Sequence, residues 1–413
     1  MDDGWFKGRN SDNSSLGDWF ADTKKLPGGI AGIASRIHEL GLDFGIWVEP
    51  EMINEDSDLF RSHPEYAMRI PGRETSLSRN QMNLDLTNPE VVDYVISAMR
   101  EVFKTPGINY VKWDMNRPFS DVYSGILPAD RQGETMHRYY LGLYRIMKTL
   151  TEEFPEILFE GCASGGNRFD LGMLCYFPQI WGSDDTDAME RTIIQTGYSY
   201  GYPMSVVTSH VSDCPNHQTL RNTPLDTRYN IACFANLGYE LNLLELKAEE
   251  FQMVQEQVEL YKAWREVFFH GDFYRMAEDQ WMVVSPDKQY GAAVIWQEHC
   301  VPNTFYKKLK CTGLDKNKSY HMYNIQLKHN IKDFGALINQ VAPIHIKKNS
   351  LLHNIISKVK KMDGECEDYK VSGLTLNNAG IKLKQSFGGT GYNQETRAYQ
   401  DYASRLYYFE AVE

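Results

Sequence analysis

Short apolar runs alternate with helical patterns along the first 270 residues of the chain. The runs are almost continuously hydrophobic, which is typical of strands buried on both faces of a parallel sheet. The candidate strands are residues 44–48, 110–113, 157–159, 179–181, 204–207 and 239–241. Strand and helix patterns that alternate in this way predict an α/β fold with a parallel sheet.

The segments between these runs carry apolar residues at helical spacing. Residues 30–40 keep one apolar face, and Gly41 is placed to end that helix. Asn88 is a suitable N-cap and Pro89 suits the first position of a second helix. A third helix is predicted over residues 140–154.

Polar residues follow one candidate strand after another. They are Glu49, Asp114, the segment 160–168 and Asp184. In a (β/α)8 barrel the ends of all strands converge on one face, which is where active sites lie. An open sheet would need such residues only at its switch point, and no glycine-rich nucleotide motif follows any strand. The pattern therefore predicts a (β/α)8 TIM-type barrel.

The pattern of hydrophobic and polar residues changes after residue 271, where strand patterns replace helical ones. Residues 281–284, 291–296 and 405–409 read as strands, and residues 319–323 and 371–383 as weaker ones. The Lys-rich segment 325–369 fits neither pattern. We therefore predict two domains, a catalytic barrel over residues 1–270 and an antiparallel β-sandwich domain over residues 271–413.

Composition and charge narrow the class of protein. Of 413 residues, 42% are hydrophobic and 24% charged, which argues against disorder. The net charge of −12 argues against nucleic-acid or anionic-membrane partners. The seven Cys and eleven His show no metal-ligand spacing, so no metal is expected. No stretch is long and apolar enough to cross a bilayer, and a cytoplasmic protein is predicted.

Two acidic segments are candidates for catalysis. Asp114 follows a strand, and Lys112 points to the same side, where its charge would favour the ionised carboxylate. A structural ion pair explains this segment equally well. Asp184, Asp185 and Asp187 crowd together, so that one of them can keep a proton as a general acid. The alternative is an acidic turn that caps a helix at Thr186 or Asp187.

Taken together, five motifs resemble the α-galactosidases of glycoside hydrolase family 36. The motifs are DDGWF from residue 2, GIWVEPEM from residue 45, KWDMNR from residue 112, CASGGNRFD from residue 162 and SDDTDAMER from residue 183. The resemblance implies a retaining exo-α-galactosidase. Such an enzyme hydrolyses terminal α-galactosyl residues of melibiose and raffinose through a galactosyl-aspartate intermediate.

The resemblance also implies a role for individual residues. Asp114 would be the nucleophile and Asp184 the acid/base. Asp2 and Asp3 would bind the galactose 4- and 6-hydroxyls. The other substrate-binding residues that it implies are Trp47, Arg79, Lys112, Asn116, Cys162 and Gly165. No cofactor and no metal are implied.

The family pattern includes parts that precede Asp2. Members carry an N-terminal β-sandwich domain and a first barrel strand before DDGWF, and we expect this chain to lack both. The parent enzyme is expected to be a homo-oligomer. The alternatives are a galactosyl transferase of the raffinose-synthase type, an α-N-acetylgalactosaminidase, or a non-catalytic or unstable fragment of the parent enzyme.

Overall fold

The structure is a computed structural model that describes residues 1–301, 307–340, 342–384 and 400–412. It divides into two compact units, Met1–Asp184 and Asp185–Glu413. The remaining residues, 302–306, 341, 385–399 and 413, belong to the predicted C-terminal domain and lie outside the described residues.

The first unit alternates parallel strands with helices. Its strands are β1 Phe44–Val48, β2 Met52–Ile53, β3 Met82–Asn83, β4 Ile108–Trp113, β5 Leu158–Gly161 and β6 Gln179–Trp181. Its helices are α1 Gly29–His38, α2 Asp58–Ser62, α3 Pro89–Phe103, α4 Thr135–Glu153 and α5 Leu171–Leu174. Strands β1, β4, β5 and β6 pair in that order and are parallel, while β2 and β3 form a small antiparallel pair.

The register of these strands brings their polar ends together. Trp47 on β1 lies opposite Lys112 on β4, which in turn lies opposite Glu160 on β5. Glu160 then lies opposite Gln179 on β6. Residues that immediately follow the strands therefore meet at one edge of the sheet, as the sequence predicts.

The helices of the first unit cover a core of large apolar side chains. Asn88 caps α3 by accepting the Glu90 main-chain N–H, and Pro89 takes the first helical position, so both predictions are confirmed. The apolar face of α3 is buried, and Trp113, Phe159 and Phe177 pack beneath the strand ends with 0–2% of their surface exposed. This packing makes the strand ends a rigid base for the polar residues that follow them.

The second unit contains two parallel strands and an antiparallel sheet. Its strands are β7 Val207–Ser212, β8 Asn236–Glu240, β9 Asp272–Ala277, β10 Gln280–Val284, β11 Tyr290–Trp296, β12 Lys308–Leu309, β13 Ser319–Asn324, β14 Lys328–Asn330, β15 Lys361–Asp363, β16 Asp368–Ser372, β17 Ile381–Lys382 and β18 Ser404–Val412. Its helices are α6 Ala188–Tyr198, α7 Leu225–Ala232, α8 Ala248–His270, α9 Leu351–Val359 and α10 Gly373–Asn378. The antiparallel sheet has the order β16-β13-β18-β11-β10-β9.

Some predicted elements differ from the structure. The expected strand over residues 204–207 is wrong, because Pro203 precedes a 3₁₀ turn at Met204–Val206 and the strand begins only at Val207. The expected strand over residues 371–383 is also wrong in part. Ser372 ends β16 and accepts the Thr375 main-chain N–H, which starts α10 where a strand was predicted.

Smaller differences concern the ends of elements. Helix α1 ends at His38, so Leu40 lies beyond it. The last barrel-type strand, β8, begins and ends earlier than predicted. No helix in the described part of the chain combines the length and apolarity needed to cross a membrane.

Candidate active site

Asp114 lies directly after β4 and is held by donors from three directions. Its Oδ2 accepts the Trp47 indole N–H at 3.1 Å and the Asn116 side-chain amide at 2.6 Å. Its Oδ1 accepts the Met115 main-chain N–H at 2.8 Å, and its own N–H donates to Val48 O at 2.8 Å. Only 6% of Asp114 is exposed. A carboxylate fixed in this way is suited to attack in one direction.

Cys162 lies beside Asp114 at the end of the neighbouring strand. Its main-chain N–H donates to Trp113 O at 2.7 Å. Burial, the negative charge of Asp114 and a hydrogen bond from the thiol to Asp114 raise the pKa of Cys162, while the charge of Lys112 opposes the rise. The thiol therefore stays protonated and acts as a weak donor to the carboxylate.

Lys112 precedes Asp114 by two residues on the same strand face. Its ammonium lies 3.9 Å from Glu160 Oε1 and 4.6 Å from the centre of the Trp181 ring. The structure thus gives Lys112 an ion pair with Glu160, whereas the pairing with Asp114 stays a prediction. A cation over an indole face is attracted by the ring quadrupole, which fixes the ammonium at this edge of the sheet.

Asp184 follows β6 and is more accessible than Asp114. Its Oδ1 accepts the Trp181 indole N–H at 2.9 Å, and its side chain is exposed. Gly165 lies against its backbone: a Cβ on Gly165 would come within 2.9 Å of Asp184 N, and Gly165 has φ of +84°. The loop that follows β5 can approach Asp184 this closely only because it carries glycine there.

The two neighbouring aspartates, Asp185 and Asp187, accept hydrogen bonds from main-chain N–H groups. Asp187 caps α6 by accepting the Met189 and Glu190 main-chain N–H groups, and it also pairs with Arg221 at 2.5 Å. Asp185 accepts the Asp187 main-chain N–H at 3.0 Å. The helix cap that the sequence allowed as an alternative is therefore present, but it involves Asp187 and leaves Asp184 available for other chemistry.

The glycine-rich loop after β5 is tied to both acidic segments. Ser164 Oγ donates to Asn116 Oδ1 at 3.3 Å, which connects the loop to the group that holds Asp114. At the far end of the loop, Arg168 Nη1 lies 2.8 and 2.9 Å from the two carboxylate oxygens of Glu51. The loop therefore contacts the Asp114 segment through Ser164 and the Asp184 segment through Gly165.

Glu51 anchors this loop beneath the site. It is fully buried and also accepts the Trp113 indole N–H at 2.9 Å and the Tyr139 hydroxyl at 2.6 Å. Arg168 is 8% exposed, and its Nε and Nη2 have no hydrogen-bond partner among the described residues. A buried carboxylate of this kind depends on its cation, because an unpaired charge is costly in a low-dielectric interior.

Asp2 and Asp3 lie alongside β1, next to Trp47. The segment is fixed there because Met1 O accepts the Trp47 main-chain N–H and Trp5 Nε1 donates to Trp47 O, both at 2.9 Å. Both aspartates are exposed. The structure therefore brings Asp2 and Asp3 to the edge of the sheet that carries Asp114.

Arg9 holds the second of these aspartates in place. Its Nε and Nη2 lie 2.9–3.1 Å from the Asp3 carboxylate oxygens, and its Nη1 donates to Ser14 O at 3.0 Å. Arg9 is 5% exposed, so Asp3 is aimed by a buried fork of donors. Sequence reasoning missed this pair.

Arg79 lies in the turn that precedes β3. It is exposed, and both Arg79 and Asn80 have positive φ, of +52° and +59°. Asn54 Nδ2 donates to Asn80 O at 2.8 Å and holds this turn. Non-glycine residues with positive φ are uncommon, and those that do occur are often found at functional sites. The described residues contain no group of three or more His, Cys, Asp or Glu placed to hold a metal ion.

Comparison with known families identifies two matching families. Residues 1–271 match the melibiase family, and residues 278–409 match the glycosyl hydrolase family 36 C-terminal domain. The chain belongs to the melibiase family. The family prediction made from the motifs is confirmed.

Curated relatives of this melibiase-family chain are α-galactosidases. Alpha-galactosidase 1 of Pediococcus pentosaceus is 47% identical over 326 residues, which are 78% of this chain and 44% of that protein. Alpha-galactosidase AgaA of Geobacillus stearothermophilus is 45% identical over 328 residues, or 78% of this chain and 45% of that protein. The matched region is less than half the length of each of these two relatives.

Solved structures agree in fold over the whole chain. A crystal structure of a doubly substituted form of AgaA in complex with raffinose has a TM-score of 0.84 and 38% identity, and the match covers 100% of this chain and 51% of that chain. Another crystal structure of a substituted AgaA, in complex with stachyose, gives the same TM-score and identity. The predictions of a TIM-type barrel fold and of a C-terminal antiparallel β domain are confirmed.

Proposed function

We propose that this chain carries the catalytic residues of a retaining exo-α-galactosidase. The observation on which the proposal rests is the pair of aspartates that follow β4 and β6, the two strands on either side of β5 in the sheet. Asp114 is buried and held by N–H donors, while Asp184 is exposed and approached by the same glycine-rich loop. The family membership of the chain supports an α-galactoside as the substrate.

In the first step Asp114 would attack the anomeric carbon of the bound galactose. The bond to the leaving oxygen breaks as the bond to the Asp114 carboxylate forms, and Asp184 gives its proton to that oxygen. The hydrogen bonds from Trp47 and Asn116 hold the nucleophile in one orientation, which lowers the entropic part of the barrier.

In the second step Asp184 acts as a general base instead of a general acid. Asp184 takes a proton from water, the water oxygen bonds to the anomeric carbon, and the Asp114 carboxylate leaves. Two displacements on the same carbon give net retention, so the product is α-galactose. Retaining enzymes keep their two carboxyl groups about 5–5.5 Å apart, and we predict such a separation for Asp114 and Asp184.

The remaining implied residues would bind the sugar. Asp2 and Asp3 would accept the 4- and 6-hydroxyls, and the fixed orientation of Asp3 on Arg9 supports this role. Lys112 and Cys162 would contact hydroxyls beside the reacting carbon. Trp47, Arg79, Asn116 and Gly165 would complete the pocket. Melibiose and raffinose are the substrates we propose; of the relatives, one AgaA structure contains raffinose.

Proton NMR of the hydrolysis products tests the proposal. With melibiose, the anomeric signal of α-galactose should appear first and that of the β-anomer only later, by mutarotation. β-Galactose released first would refute the double displacement. If galactinol and sucrose give raffinose faster than free galactose, the enzyme is a transferase of the raffinose-synthase type.

Other predictions made from the sequence stay predictions. We propose a catalytic domain over residues 1–270 and a C-terminal β-sandwich domain over residues 271–413, and the ranges of the two family matches support this division. A homo-oligomeric parent enzyme and a cytoplasmic location are further predictions. Size-exclusion chromatography with light scattering would measure the oligomeric state.

A further inference from the structure

A second carboxylate, Glu49, lies next to Asp114 and is not used by the proposed reaction. It follows β1 directly and is 1% exposed. Its Oε1 accepts the main-chain N–H of Asn116. The side-chain amide of Asn116 in turn donates to Asp114 Oδ2 at 2.6 Å. One carboxyl group therefore fixes the residue that orients the other.

The charges around Glu49 are unusual for a buried acid. Glu51, two residues further on, faces the guanidinium of Arg168, whereas the positive charge that acts on Glu49 is that of the exposed Arg79. Burial and the negative charge of Asp114 raise the pKa of Glu49 to about 8, although the hydrogen bonds from Asn116 and the charge of Arg79 oppose the rise. Glu49 is thus neutral at pH 7.

We infer that Glu49 is a positioning residue for the nucleophile and acts through Asn116. Its carboxyl oxygen holds the Asn116 main chain, so that the Asn116 amide points at Asp114. A neutral acid accepts this hydrogen bond without adding a second negative charge beside the nucleophile. The inference rests on the proposed function, because it assumes that Asp114 attacks the sugar.

The neutral form gives the inference a distinctive mutational test. Glu49→Gln keeps a carbonyl oxygen for Asn116 and stays neutral, so the rate of galactosyl-enzyme formation should remain within about threefold of wild type. Glu49→Leu removes the acceptor and leaves the Asn116 N–H buried without a partner, so the rate should fall about tenfold or more. Glu49→Asp withdraws the acceptor by one methylene and should behave like Glu49→Leu.

The rate is measured as the burst of phenol from an aryl α-galactoside with an acidic phenol. Mass spectrometry of the trapped galactosyl-enzyme checks that the galactosyl group is attached to Asp114. Glu49→Leu at the wild-type rate would overturn the inference, and so would Glu49→Gln reduced to the level of Glu49→Leu. If Glu49→Leu does not fold, Glu49→Asp decides the matter in its place.

The pH dependence of the melting temperature is a second readout, and it tests whether Glu49 carries a proton. A purely structural hydrogen bond would not change this dependence. Between its ordinary pKa of 4.5 and about 8, Glu49 holds a proton in the folded protein but not in the unfolded chain. Folding then binds a proton, so stability falls as pH rises through this window. Glu49→Gln has no such proton, and its melting temperature relative to wild type should increase from pH 5 to pH 8.

A melting-temperature difference that does not change with pH would overturn the neutral form of Glu49 and the inference with it. Glu51→Gln is the matched comparison, because it removes a carboxylate that has a buried cation; it should lower the melting temperature throughout. Failure of the proposed function is seen separately. If wild-type enzyme forms no galactosyl-enzyme on Asp114, the double displacement itself is refuted, and this inference falls with it.

Discussion

Replacing Arg168 by methionine should destabilise the protein strongly, because it leaves Glu51 buried without its cation. Glu51 has no exposed surface and receives hydrogen bonds from Arg168, Trp113 and Tyr139. Removing one partner of a buried ion pair typically costs about 3–5 kcal/mol. The Trp113 and Tyr139 donors remain in Arg168→Met, so we expect the lower part of that range.

This energy corresponds to a large shift in thermal unfolding. A protein segment of about 150–250 residues loses roughly 2–4 °C of melting temperature for each kcal/mol. Arg168→Met should therefore melt at least about 6 °C below wild type. Circular dichroism during heating measures the shift.

An ion pair on the surface provides the matched control. Arg100 makes a bidentate contact with Glu153 at 2.6–2.7 Å, but about a third of each side chain is exposed. Arg100→Met should leave the melting temperature nearly unchanged, because exposed pairs contribute little. If Arg168→Met and Arg100→Met melt within about 2 °C of each other, burial does not make the Glu51 pair important, and the reasoning fails.

Three further changes test the proposed active site. Asp114→Asn should abolish turnover of melibiose, because the nucleophilic carboxylate is lost. The circular dichroism melt should stay almost unchanged, because asparagine has nearly the same shape as aspartate. Residual activity above about a tenth of wild type would exclude Asp114 as the nucleophile. Asp184→Ala should slow melibiose hydrolysis roughly 10²–10⁴-fold, yet still give a burst with an aryl galactoside that azide converts to turnover; rescue in Asp185→Ala instead would reassign the acid. Gly165→Ala should lower kcat, because its Cβ would lie 2.9 Å from Asp184 N and because φ of +84° is strained for alanine; wild-type kcat would show that the loop can move away.

The fold could be predicted where local signals and packing agreed. The strand before Asp114 and the Asn88–Pro89 helix start are fixed by nearby residues, and both were found. The strand expected over residues 371–383 failed because Ser372 caps a helix, and a capping hydroxyl overrides strand propensity in the residues that follow. The boundary at Val207 was missed for a similar reason, since Pro203 starts a turn.

The predicted site residues that belong to or directly follow β1, β4, β5 and β6 lie at one edge of the sheet, but their partners could not be read from the sequence. Asp3 and Arg9 are six residues apart, and Glu51 and Arg168 are separated by 117 positions. Such pairs depend on the tertiary fold, and a single sequence contains no signal for them. One signal was used only for the fold and not for the site: GIWVEPEM places two carboxylates, Glu49 and Glu51, immediately after a buried strand.

Those two glutamates show why burial alone does not define the role of an acid. Both lie after β1 and both are almost completely buried, at 1% and 0% exposure. Glu51 faces Arg168 and therefore serves as a charged anchor, whereas Glu49 faces Asp114, whose charge raises its pKa. A neutral acid in contact with Asn116 positions that residue without adding a second negative charge beside the nucleophile, whereas the charge of Glu51 is balanced by Arg168.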